Sequence, residues 1–159
     1  MPNLTGAPAQ LNPGWYTSRY AQPTIASATP VAWTTGNSPI TLWTVTGSIL
    51  CRVYGVIGAT AFTSTGGTGT LEIGVTAATA TLVAQGTVSG GAQFPANAVW
   101  VDGTPTLRAE ILTTSTAPWV LVNNNIILTV ATNSMTAGAV NLYLDWIPVG
   151  TATVVSGSP

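Results

Sequence analysis

Residues 138–150 read GAVNLYLDWIPVG. Leu142, Leu144 and Trp146 fall on one side of a two-residue period, and Asn141, Tyr143 and Asp145 on the other. That alternation is the signature of a half-buried β-strand. The run ends at a Pro and a Gly, which predicts that the strand closes the fold and releases a short tail over residues 151–159. It also holds one of only four acids in the chain.

The same pattern recurs upstream. In SILCRVYGVIG, residues 48–58, Ile49, Cys51, Val53, Gly55 and Ile57 alternate against Leu50, Arg52, Tyr54 and Val56. ITLWTVTG (40–47), TLEIGVT (70–76), TATLVAQGTV (79–88), AVWVDGTP (98–105), TLRAEILTT (106–114), PWVLV (118–122) and NIILTVAT (125–132) are further short apolar or alternating runs. Gly, Pro, Asn and Ser separate them, as in TSTGGTG at 63–69 and NNN at 123–125, both read as turns. In TLEIGVT the period buries Leu71, Ile73 and Val75 and exposes Glu72. No amphipathic helix of normal length competes with these runs. Eight or nine closely spaced strands predict an all-β fold, an antiparallel β-sandwich of jelly-roll or Greek-key type, over residues 39–150.

Residues 1–38 are different in kind. Five of the eleven Pro lie there and Pro39 sits at the boundary. No strand or helix period survives, so the segment is expected to be an extended, Pro-rich N-terminal arm. It nevertheless carries Trp15, Tyr16, Tyr20 and Trp33. Free linkers are depleted in large aromatics, so these four are the candidate interface residues of an arm that docks on something. Two docking sites are open: a neighbouring subunit, or the arm's own domain.

Composition sets the function classes. The 159 residues include three Arg, no Lys, no His and four acids, for a net charge of -1. Charged residues make up 4% of the chain, against about 25% in an ordinary soluble domain. Nucleic-acid binding needs Lys and Arg to displace counterions from phosphates, and none of that excess is present. A polybasic membrane anchor is excluded on the same ground. The apolar runs are shorter than a spanning helix requires, and no basic, then apolar, leader opens the sequence. The chain is expected to stay in the cytosol where it is made.

Chemistry is equally sparse. Glu72, Asp102, Glu110 and Asp145 are dispersed along the chain, with no paired carboxylates in sequence. Asp102-Gly103 is a turn signal. Cys51 has no His to serve as its base and reads as a small buried hydrophobe. One Cys and no His make no zinc set, and STGGTGT lacks the Lys of a phosphate loop. No enzyme, cofactor or metal is expected. The six Trp leave a glycan-binding role open, although core and subunit contacts are the commoner use of aromatics. The polar surface must come from Thr, Ser, Asn and Gln. There are 28 Thr, and β-branching biases them toward strands. A nearly uncharged surface suits a protein covered by neighbours, because net charge normally keeps free proteins apart.

GSILCRVYGVIGATAF, TLEIGVTAATATLVAQGTV and TAGAVNLYLDWIPVGTATVVSG together resemble small head proteins of tailed bacteriophages. The resemblance covers about residues 47–157 and omits the N-terminal segment; the paucity of charge and the LRAEILTT strand depart from it. It implies a virion structural protein, a capsid decoration or cement protein on the outer surface of the head. Its implied partners are the major capsid protein and its own copies, as a homotrimer. Tail, baseplate or head-fibre components are the neighbouring alternatives.

Overall fold

The computed structural model describes residues 16–25, 33–89, 93–105 and 119–156, all as strands, turns and two short 3-10 turns. The strands are β1 (Tyr16–Ile25), β2 (Ile40–Ile57), β3 (Thr63–Ser64), β4 (Gly69–Val75), β5 (Ala78–Val88), β6 (Val99–Trp100), β7 (Val120–Val122), β8 (Ile126–Ala131) and β9 (Met135–Ser156). Every pairing between them is antiparallel, in the order β1-β9-β2-β8-β4-β5. The all-β expectation holds. The described strands form one curled antiparallel sheet.

The reason lies in two strands longer than the sequence suggested. ITLWTVTG and SILCRVYGVIG are not separate strands but a single 18-residue β2. Its partner β9 runs 22 residues, straight through Pro148 and Gly150, so residues 151–156 are strand rather than tail. Between Thr46↔Thr153 and Ser48↔Val149 the ladder carries a bulge, with Gly47 facing residues 150–152. Gly47 and Gly150 both have positive φ there, 83° and 80°. A bulge bends and twists its strands, so the ribbon turns without being cut. A Cβ at Gly47 would run into the Thr151 carbonyl oxygen.

The far edge of β2 is covered in sequence by β6 at Gly55–Val56, β7 at Ile49–Cys51 and β8 at Ile40–Trp43. β7 and β8 therefore lie in line along one edge. NNN is not a hairpin turn but an interruption between them. The Asn125 side-chain oxygen accepts from the Val45 N–H at 3.2 Å, taking the place of a missing ladder carbonyl.

Odd-numbered β2 residues from Ile49 to Val53, with Ile57, and the even β9 residues Val140, Leu142 and Leu144 form the inner face and are buried. Leu71, Ile73, Leu82, Val83, Leu128 and Val130 close the core from β4, β5 and β8. Burial of each such side chain contributes about 1.5–3 kcal/mol. A run of aromatic contacts crosses it: Trp33 stacks on Phe62 at 5.3 Å, Phe62 meets Phe94 edge-on at 6.1 Å, and Phe94 meets Trp100 edge-on at 5.3 Å.

This core revises the arm. Residues 16–25 are strand β1, pairing Tyr16↔Trp146 through Gln22↔Val140 on β9. Pro23 falls where the register shifts, on the outermost strand, a position where a missing N–H is tolerated. Trp33 is wholly buried, and its carbonyl accepts from Met135 N–H at 3.0 Å. The boundary expected near residue 38 therefore cuts through the domain. Trp33→Ala should cost about 3–5 kcal/mol, read from urea unfolding. Gly47→Ala should cost at least about 2 kcal/mol, from a disfavoured φ plus the carbonyl clash; an unchanged melting temperature would refute the bulge geometry.

Candidate functional surface

With odd β2 positions inside, even positions lie on the outer face, opposite the odd positions of β9. Register fixes the rungs: Ser48 with Val149, Leu50 with Ile147, Arg52 with Asp145, Tyr54 with Tyr143, Val56 with Asn141. Leu121 of β7 extends the second rung beyond Leu50. On the other side, Thr17 and Arg19 of β1 occupy the register positions opposite Asp145 and Tyr143.

The central rung is an ion pair. Arg52 Nε and Nη2 both donate to Asp145 Oδ2, at 3.1 and 3.0 Å. The guanidinium also lies over the Trp119 ring, 5.4 Å from its centroid, which adds cation–π attraction. Asp145 is 8% exposed, so it is a buried carboxylate with its countercharge, not a solvent-facing one. Next to it, Tyr54 and Tyr143 stack at 5.2 Å with 15° between rings. Burial pushes the Tyr54 phenol above its ordinary value of 10.0, and the Asp145 charge pushes it further.

On the opposite side of the ion pair the face is aliphatic. Leu50 and Ile147 are half-buried, while Leu121 and Val149 are 64% and 51% exposed. These four are contiguous by register. Clustered exposed aliphatics of this kind mark interaction surfaces.

The other polar groups serve the fold. Glu72, expected on the surface, is buried, and Gln85 Nε2 donates to its Oε2 at 3.1 Å. Asp102 Oδ1 accepts from Thr104 N–H at 2.9 Å, the turn its sequence announced. Cys51 is buried on the inner face, and desolvation raises its thiol to about 12. Among the described residues no group of three or more His, Cys, Asp or Glu is placed to hold a metal, and no helix is long and apolar enough to cross a membrane.

Of the four aromatics singled out in the N-terminal segment, Trp15 lies outside the described residues. Tyr16 stacks on Trp146 at 4.8 Å and stays partly exposed. Tyr20 takes the register position opposite Leu142. Trp33 belongs to the core and is not available as an interface residue. Arg108 and Glu110 also lie outside the described residues. The face built by Leu50, Leu121, Ile147 and Val149 was not singled out from sequence. Its signal was present: the second face of SILCRVYGVIG is mostly apolar, with Leu50, Tyr54 and Val56 beside Ser48 and Arg52.

Comparisons with protein-family models, with curated proteins and with solved structures return no match.

Two outcomes are expected. Cys51 should resist a thiol reagent at about pH 8, where a group of pKa near 12 is almost wholly protonated, and should react at once in denaturant; fast labelling of the folded protein would contradict its burial. Arg52→Met should cost about 1–3 kcal/mol, because it removes the guanidinium that donates twice to the buried Asp145 carboxylate. Adding Asp145→Leu should recover most of that loss, read as a double-mutant cycle in urea.

Proposed function

We propose that the chain is a non-enzymatic structural subunit of a virion: a decoration protein that binds the outer surface of a tailed-phage head and braces neighbouring major capsid subunits. The observation that carries this reading is the outer face of β2 and β9. It presents Leu50, Leu121, Ile147 and Val149 beside a closed ion pair. A sheet with a packed core on one side and an aliphatic strip on the other is suited to being covered. The resemblance of residues 47–157 to small phage head proteins supplies the partner, and the chain's charge content of 4% agrees with a protein held in a shell rather than kept apart in solution.

Each described carboxylate is engaged within the fold: Asp145 pairs with Arg52, Glu72 accepts from Gln85, and Asp102 closes its turn. Trp33, Trp43 and Trp100 are wholly buried, which leaves few indole faces for stacking on sugars and disfavours the glycan-binding alternative. Attachment proceeds by burial of apolar and Thr-rich surface at about 25 cal/mol per Å², less the cost of association. With few ion pairs to screen, it should respond weakly to salt.

Co-sedimentation of the purified chain with phage heads, together with labelling of intact virions, tests this function. Saturable binding to heads, little changed from about 0.1 to 1 M salt, is the expected result. Label confined to tails, or no pelleting with heads, would overturn the reading.

A further inference from the structure

The aliphatic strip lies beside the point where the first residues of the chain join the sheet, and the register shows how the two would meet. Along β1, each step back toward the N-terminus is one step forward on β9: Arg19 stands opposite Tyr143, Thr17 opposite Asp145 and Tyr16 opposite Trp146. Residues directly opposite share a face, so the odd positions of β1 belong to the outer face, in line with the rungs of Arg52–Asp145 and Tyr54–Tyr143. Carried past Tyr16, the same register sets Trp15 opposite Ile147 and Pro13 opposite Val149. Those are the two β9 members of the strip. Beside Ile147 and Val149 that edge of β9 has no described strand, and Val149 is 51% exposed.

We propose that residues 1–15 are a strap that lies across Leu50, Leu121, Ile147 and Val149 in the free protein, with Trp15 at the end of the Ile147–Leu50–Leu121 rung. The segment MPNLTGAPAQLNPGW has no charged side chain and carries Leu4, Leu11 and Trp15, which suits a strip made of aliphatic side chains. Its length suffices. From the line of β1 to β7 is three strand spacings, about 14 Å, and successive rungs of one face are about 6.8 Å apart. An extended segment advances about 3.1 Å per residue, so about six residues cross the strip. Tethering also gives the segment an effective concentration of millimolar order, above that of any separate partner in dilute solution.

Apolar burial, rather than a ladder, holds the strap. Pro13 has no N–H to give, and neither has Pro148, which falls opposite Gly14, so backbone pairing along this edge is incomplete. A strap held in this way is displaceable. The regulatory consequence rests on the strip being the head-binding surface: the strap covers that surface until a capsid subunit takes its place.

Cross-linking of the full chain is the test. Opposite residues of an antiparallel pair have Cα atoms about 4.5–5.5 Å apart, within the range of a disulfide. Pro13→Cys/Val149→Cys, oxidised in dilute solution, should therefore close a disulfide within one chain, identified by mass spectrometry. Cys51 is buried, with its thiol pushed up to about 12, and should not compete. Pro13→Cys/Val155→Cys is the control: Val155 lies beyond the Gly150 bulge, roughly 20 Å further along β9, and should stay unlinked. Gly14→Cys/Pro148→Cys is the second register pair if the first fails to fold. Failure of the register pairs to close, or equal closure to Val155, would overturn the strap. Closure only between chains would also overturn it, and would make a second copy the occupant. Locked by its disulfide, the Pro13→Cys/Val149→Cys chain should bind phage heads at least about tenfold more weakly than after reduction; equal binding would overturn the masking. Closure is scored without heads. A chain that closes but binds no heads leaves the strap standing and removes the decoration reading, whereas failed closure beside normal head binding removes the strap alone.

Discussion

The pairing of β2 with β9 is the constraint on which the rest of the molecule depends. It runs from Trp43↔Ser156 to Ile57↔Val140, so each strand has β9 or β2 as its direct or next neighbour, apart from β5, which hangs from β8 through β4. The ladder sets both faces at once. One register puts Ile49, Cys51 and Val53 beside Trp146 and Leu144 on the inner face, and at the same time aligns Arg52 with Asp145 and Tyr54 with Tyr143 on the outer one. A one-residue slip would reverse both faces, burying the Arg52 guanidinium among aliphatic side chains. The bulge at Gly47 and Gly150 lets this one ribbon serve the whole curl of the sheet.

Much of this was legible in the sequence because the period of two is strong in the central strands. Alternation in 48–58 and 138–150 named the inner and outer residues correctly, and it placed Cys51 inside. What it could not do was join runs across a glycine. TG at 46–47 and PVG at 148–150 look like terminators, and only the tertiary pairing shows that they are a bulge within longer strands. β1 was illegible for a different reason. YTSRYAQPTI contains Pro23 and no two-residue period, and such a segment becomes a strand only because β9 offers an edge. Glu72 was misplaced because alternation describes a strand with one wet face, while at Glu72 that face is covered and Gln85 lies within hydrogen-bond reach.

The candidate surface shows the same division. Its members were visible as a second, mostly apolar face of β2, yet nothing local indicated that Leu121, Ile147 and Val149 would join them. That juxtaposition depends on strands about 70 and 95 residues further along the chain. The functional reading is correspondingly a matter of surface rather than of reactive groups. The described carboxylates and the thiol are absorbed by the fold, and what remains outside is shape, apolar area and a neutral ion pair.

The place of β9 in the sheet has a bearing on how the molecule comes into being. It is the last of the described strands in chain order and also a central one, with β1 and β2 on its two sides. During synthesis, both of those earlier strands must wait with open backbone edges until residues 135–156 have left the ribosome. The β4–β5 hairpin can form by local contacts well before then, but the long edge of β2 that pairs with β9 stays open until residues 135–156 arrive. Such non-local closure is slow, and exposed strand edges invite pairing with other chains. In a protein with almost no charge to hold nascent copies apart, the interval between the emergence of β2 and the arrival of β9 is the period of greatest exposure to aggregation.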